Sequence, residues 1–168
     1  MVKDTWSYKG FEGTIEWRPD LTLEDVSVTK SHVIAFDGEG FFIISRPKRD
    51  GYELPGGTIE DGETPIEALK REVWEEANIK IDNIELIGME KITYETKPHP
   101  ERGRKEFRAK FIAEVHEIYS LTPDPDEGYH WERKLVEPSE DIFWLIDNYA
   151  DDNQVRKAIL RHAKSTRE

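Results

Sequence analysis

Between Pro55 and Asn78 the chain runs through a glycine break, an acidic stretch and one strongly punctuated helix, and this segment limits the folds open to it. Pro55-Gly56-Gly57 stops any regular element that precedes it. Paired glycines let the backbone turn sharply or approach another group closely. Thr64-Pro65-Ile66-Glu67 then reads as a helix start. Threonine caps free amide groups, glutamate three residues on completes a capping box, and proline at the first helical position forfeits no hydrogen bond. The helix pattern runs from Thr64 to Ala77 and ends at Asn78, a residue that tolerates the left-handed turn past a helix end. At about 100° per residue, Ile66, Leu69, Val73 and Ala77 share one stripe, which should face a sheet.

Short β-prone runs flank this helix. Gly13 to Trp17 is a weak strand within a mixed, polar region of residues 1–30. His32 to Phe36 and Phe41 to Ser45 are apolar, and the turn signal Asp37-Gly38-Glu39-Gly40 joins them as a hairpin. Tyr52 to Leu54 reads as a further short strand. Ile84 to Tyr94 and Glu106 to Val115 read as two long ones. The sequence predicts two more helical stretches, Ile142 to Tyr149 and Val155 to Ala163, the latter taken as a C-terminal helix over about 153–164. Strands on both sides of one strong helix predict an α/β layered domain with a mixed sheet. The length of 168 residues suits a single domain, 1–168.

The second stripe of the helix carries Glu72, Glu75 and Glu76. Like charges at this spacing cost a few tenths of a kcal/mol per pair, roughly, with no structural return. Alone, Glu72-Val73-Trp74-Glu75-Glu76 reads as a solvated face. The surroundings change that. Residues 53–76 hold eight acids and two bases, so half of the chain's net charge of -12 falls in this segment. A divalent cation reverses the sign of the interaction, and Mg²⁺ and Mn²⁺ prefer carboxylate and water oxygens. The overall acidity argues against a nucleic-acid polymer as main partner, since such binding rests on a basic stripe and counterion release. It does not bear on small phosphorylated ligands. The absence of cysteine rules out thiol catalysis, disulfides and thiolate metal sites. With no apolar signal core and no membrane-length apolar run, the expected setting is cytoplasmic, without a membrane partner.

Gly57, Glu63, Arg71, Glu72, Val73, Glu75, Glu76 and Ile79 have the spacing Gly, five residues, Glu, seven residues, Arg-Glu-aliphatic-x-Glu-Glu-x-Gly-aliphatic. This resembles the Nudix box, with Asn78 standing where the family has glycine. The match spans Gly57 to Ile79. The resemblance implies a Nudix-like α/β/α sandwich, with a mixed sheet and packed helices. It also implies a divalent-metal-dependent hydrolase of phosphoanhydride bonds in nucleoside diphosphate-linked compounds, such as a nucleoside triphosphate, an oxidised dNTP or an ADP-sugar. Two alternatives stand beside this: a non-catalytic nucleotide sensor of the same fold, and an RNA 5′-end pyrophosphohydrolase.

By resemblance, Glu72, Glu75 and Glu76 form the catalytic and metal-holding set for Mg²⁺ or Mn²⁺, with Gly56 or Gly57 adding a backbone carbonyl or shaping the loop. Glu63 and Arg71 would pair in support, with Gly57 beside them. Glu72 is the first choice of general base; Glu101, Glu127 and Glu132 are alternatives. Arg46, Lys48 and Arg49, at a strand end, are candidate contacts for the substrate's phosphates, as are Arg102, Arg104 and Lys105. Trp17, Tyr94, Tyr129 and Trp131 are candidate stacking partners for a base. Trp74 points off the carboxylate stripe, and the five histidines have no ligand spacing. Asp124-Pro125-Asp126-Glu127-Gly128 is a weak candidate calcium loop. The expected partner is a small phosphorylated nucleotide-type substrate; family members are often dimers, which leaves a homodimer open here, with no interface legible in the sequence.

Overall fold

The chain forms one mixed sheet whose strand ends are splayed to admit the glycine segment that leads into the helix. The structure, a computed structural model, describes residues 3–8, 11–38, 40–47, 51–95 and 103–137. Lys48, Arg49, Glu39, Glu101, Arg102 and the helices expected over 139–164 lie outside the described residues. The elements in chain order are β1 (Lys3–Tyr8), β2 (Phe11–Arg18), β3 (Lys30–Asp37), β4 (Gly40–Ser45), β5 (Gly56–Thr58), α1 (Pro65–Ala77), β6 (Ile79–Tyr94), β7 (Lys105–Ile118) and β8 (Glu132–Val136). The sheet order is β1-β2-β6-β7-β3-β4-β8, with β5 paired to β3. Every pairing is antiparallel except that of β3 with β7, which makes the sheet mixed.

Side-chain alternation along the strands sorts the core into two layers. Val33 and Ala35 of β3, Phe42 and Ile44 of β4, and Ala109, Phe111 and Ala113 of β7 meet Leu69, Val73 and Ala77 of α1. Ile66 is partly buried against the same cluster, so the predicted apolar stripe is the one that docks. Fully burying Leu69 and Val73 contributes about 1.5–3 kcal/mol each. Ile34, Phe36, Phe41, Ile43, Ile112 and Val136 form the other layer, with Leu54. Among the described residues α1 is the one helix, and none is long and apolar enough to cross a membrane.

The predicted hairpin is β3–β4, but the two strands pair only next to their turn, at Phe36↔Phe41 and Asp37↔Gly40. Farther out they separate and residues 53–58 fill the gap. Glu53 exchanges two backbone hydrogen bonds with Ile44, at 2.8 and 3.0 Å. The Pro55 carbonyl accepts from Val33 N at 2.9 Å. Gly56, Gly57 and Thr58 then pair with His32, Ser31 and Lys30. Tyr52–Leu54 therefore contributes a single bridge to β4, and the strand lies just beyond it, where the sequence reads as a break. β6 starts at Ile79, five residues before the expected strand, and its pairing with β7 shifts register at three places.

Candidate active site

The helix is held at both ends. Thr64 Oγ1 accepts from Glu67 N at 3.2 Å, and the Glu67 carboxylate accepts from Thr64 N at 2.8 Å, completing the capping box. At the other end Asn78 takes φ 47°, ψ 48°, and its N–H closes on the Trp74 carbonyl at 3.0 Å. Its buried side chain does more than tolerate the turn. Oδ1 accepts from Thr122 N at 2.8 Å and Nδ2 donates to Thr122 Oγ1 at 3.1 Å, tying the helix end to the segment after β7. The Arg133 guanidinium donates to the carbonyls of Ala77, Asn78 and Tyr119. A cation on the last carbonyls also suits the helix dipole.

This frame aims Glu72 and Glu76 at the glycine segment. Glu76 is only 5% exposed and accepts from Gly56 N at 2.9 Å. Burial pushes its carboxyl well above the usual range, and that hydrogen bond only partly offsets the effect. Glu72 lies over Gly57: a Cβ on Gly57 would sit 2.5 Å from the Glu72 carboxyl carbon. Gly56, at φ 139°, is pressed against β3, where a Cβ would come 2.1 Å from the Ser31 carbonyl. Each glycine is required for a different reason, one by the Glu72 side chain and one by backbone.

Arg71 organises the negative charge. Its Nε and Nη2 donate to Glu63 in a two-point pair at 2.7 and 3.0 Å, and Nη2 also donates to the Thr58 carbonyl at 3.0 Å. Its Nη1 lies 3.1 Å from Glu72 and 3.2 Å from Glu75. Arg71 thus ties the loop after β5 to the helix, and hydrogen bonding to Glu63 raises its pKa. Partial burial still leaves Glu72 and Glu75 above the usual carboxylate range, despite Arg71. Among the described residues no three acidic or histidine side chains converge as a ready-made cation cage. Glu72 and Glu75 are instead turned to Arg71.

The donor set nevertheless suits a hard divalent cation. It consists of oxygen only, and a nearly buried carboxylate on one neutral N–H is the kind of group that a cation stabilises in charged form.

Arg46 lies alongside. Its charge lowers the Glu76 pKa, its Nε is 3.3 Å from Glu53 Oε1, and its guanidinium stacks 5.0 Å from the Trp131 ring centre. Trp131 is buried in the helix-side core, so it serves Arg46 and the core and is not an open stacking platform. Tyr129 meets Trp131 edge-on at 5.6 Å and is partly exposed. Asp124 shapes this loop: Oδ1 accepts from Asp126 N and Glu127 N at 3.0 and 2.8 Å, and Oδ2 from the Trp131 indole at 2.8 Å. Both its oxygens are engaged in the fold, which gives the weak calcium reading no support.

Other candidates are elsewhere. Trp17 packs on the face away from α1, against Gly88. Tyr94 donates to Glu106 at 2.9 Å and carries Arg104 over its ring. Glu132 accepts from Tyr52 at 2.6 Å. Glu127 is exposed on the Asp124 loop. Trp74 is 40% exposed and meets Tyr119 edge-on. Sequence spacing does not single out Glu53, the Gly56 amide or Ser31, because strand register alone brings them to the helix.

Comparison with known proteins gives the same frame. A family model described as the NUDIX domain matches residues 28–158. A MutT-like protein from Streptomyces ambofaciens is 39% identical over 67 residues, 40% of this chain and 44% of that protein. An RNA pyrophosphohydrolase from Xanthomonas campestris is 40% identical over 52 residues, 31% of this chain and 25% of that protein. The chain thus spans less than half the length of these curated relatives. A crystal structure of a Bacillus subtilis pyrophosphohydrolase superposes with a TM-score of 0.71 at 19% identity, covering 99% of this chain and 98% of that one. A MutT protein from Bacillus halodurans superposes with a TM-score of 0.56 at 25% identity, covering 78% and 80%.

Proposed function

The chain belongs to the NUDIX domain family, and from that premise we propose that it is a hydrolase of phosphoanhydride bonds in small nucleoside diphosphate-linked compounds. The observation that carries this reading is the placement of Glu76, buried on the Gly56 amide, beside Glu72 over Gly57 on a helix fixed at both ends. Glu72, Glu75 and Glu76, with the Gly56 backbone, would hold Mg²⁺ or Mn²⁺. Such an ion supplies positive charge to the phosphate oxygens and eases deprotonation of the attacking water.

The chain's own groups do the rest. Arg71, clamped by Glu63, holds the loop and helix in register, a supporting role. Arg46 faces the site as a cation for the substrate's outer phosphates, and Lys48 and Arg49 follow it in sequence. A Glu72 carboxylate oxygen takes the proton from water as the water oxygen bonds to phosphorus. The phosphorus–oxygen anhydride bond breaks and its electron pair leaves with the departing phosphate.

The test is a ³¹P NMR assay of nucleoside triphosphates, oxidised dNTPs, ADP-ribose and dinucleoside polyphosphates with Mg²⁺, Mn²⁺ or chelator, with Glu76→Gln as control. Metal-dependent cleavage lost in Glu76→Gln supports the reading. Binding without cleavage would put the sensor reading first. A second reading, removal of pyrophosphate from RNA 5′ ends, is favoured by the relatives named for that activity. A 5′-triphosphorylated oligoribonucleotide belongs in the same panel.

A further inference from the structure

Ser31 is fully buried, and among the described residues its Oγ is the one buried side-chain polar atom without a hydrogen-bond partner. Native interiors leave few such groups, because an unsatisfied buried hydroxyl costs free energy that an alanine would avoid. Its position is informative. Ser31 is two residues before Val33 on β3, on the face that α1 covers. It stands directly opposite Gly57 in the β3–β5 register. Side chains of directly opposed residues in an antiparallel pair project to the same face with Cβ atoms about 5 Å apart. At Gly57 there is no Cβ, and the Glu72 carboxyl occupies that space. Strand register therefore sets the free hydroxyl next to the carboxylate that lies over Gly57.

We propose that Ser31 is a positioning residue for this site: its hydroxyl is the donor that holds the Glu72 carboxylate in place when Glu72 turns from Arg71 to a divalent cation. In the structure Glu72 is turned to Arg71, with Oε1 3.1 Å from Nη1, and in that orientation the carboxylate makes no hydrogen bond with Ser31 Oγ. Turning to the cation with Oε1 reorients the carboxylate so that Oε2 accepts from Ser31 Oγ–H. The residue touches neither substrate nor cation, and acts through Glu72. This inference rests on the metal-dependent reading above and adds a residue outside the Nudix box.

Two measurements test it: Mn²⁺ affinity by EPR titration, and the melting temperature in chelator. They use the full chain as wild type, Ser31→Ala, Glu72→Gln and the double variant. The expected result for Ser31→Ala is an unchanged or higher melting temperature in chelator, because the alanine fills the same space without an unmatched hydroxyl. Mn²⁺ binding should weaken about tenfold, the lower end of what loss of a group behind a metal ligand causes. In the Glu72→Gln background Ser31→Ala should add little, since the two changes remove one interaction. Equal Mn²⁺ affinity for wild type and Ser31→Ala would overturn the proposal while leaving the metal reading intact. So would a tenfold loss that persists in Glu72→Gln, or a lowered melting temperature in chelator, which would mark a structural hydrogen bond. A wild type that binds no Mn²⁺ would overturn both readings.

Discussion

At Glu76, fold stability and the proposed chemistry pull in opposite directions. A carboxyl whose pKa is raised by burial prefers its neutral form in the folded chain. Its contribution is therefore favourable below the unfolded carboxyl range and is lost as pH rises through the raised folded value. Glu76→Gln keeps an oxygen for the Gly56 amide and removes the buried charge. In chelator at pH 8 this variant should melt above wild type, with the gap closing as pH falls toward 4.5 (about the unfolded value); Mn²⁺ should raise the wild type's melting temperature but not the variant's. Scanning calorimetry across pH reads all of this, and a variant less stable than wild type at pH 8 would contradict it. Asn78 makes the reverse case. The family pattern has glycine there, and a left-handed φ of 47° suits glycine better. Yet the Asn78 amide holds Thr122 by two hydrogen bonds. Each such bond is worth about 0.5–1.5 kcal/mol net, more than glycine would recover in backbone strain. Asn78→Gly should therefore destabilise by about 1–2 kcal/mol in urea unfolding. A stabilised variant would mean the amide ties contribute nothing.

The two glycines of β5 separate backbone demands from side-chain demands. For Gly57→Ala the nearest atoms are those of the Glu72 carboxylate, the far end of a flexible side chain, so the fold should survive with a smaller loss than overpacking against backbone causes, while turnover collapses because the carboxylate is displaced. Gly56→Ala meets the Ser31 carbonyl at 2.1 Å and a φ of 139°, and overpacking against backbone costs about 1–3 kcal/mol or more, so it should lower stability first. Urea midpoints beside turnover numbers distinguish the two, and a Gly57→Ala enzyme with full turnover would remove Glu72 from its proposed role. The same segment shows what sequence alone makes legible. The helix, both of its caps and its apolar stripe are local patterns, and they were readable from spacing. So was the carboxylate stripe, since i, i+3 and i+4 fix it. β5 was not, because Pro-Gly-Gly reads as a break and pairs with β3 only once the β3–β4 hairpin has opened. β8, Glu-Arg-Lys-Leu-Val, carries three charged residues at the sheet edge and shows no clear alternation of apolar and polar positions. Trp131 read as a stacking candidate because nothing local reveals that Asp124 and the core hold its ring.

For the molecule as a whole, a net charge of -12 weighs against a long polyanion as the proposed substrate more than against a small nucleotide. A protein that tracks single-stranded nucleic acid through Z phosphate contacts loses affinity with salt at a logarithmic slope of about −0.7Z. Here half of the net charge lies in the segment around the site, and the cation at its edge, Arg46, is itself engaged by Glu53 and Trp131. Long-range repulsion should keep the body of an RNA chain off the surface, so the site should read the phosphorylated end and little more. For a 5′-triphosphorylated RNA, log(kcat/KM) against log[KCl] at fixed Mg²⁺ should fall with a slope of about −2 or shallower, equivalent to at most about three phosphate contacts. Lengthening the RNA beyond the first few nucleotides should leave kcat/KM unchanged or lower, and a free nucleoside triphosphate should show a similar slope. A slope near −5 that steepens with RNA length would require a basic track along the polymer, and would move RNA ends ahead of small nucleotides as the substrate class. A shallow slope with equal rates for RNA and nucleotide would mean that specificity lies in the first nucleotide, with the part-exposed Tyr129 and the guanidinium of Arg46, both within electrostatic reach of Glu76, as its candidate contacts.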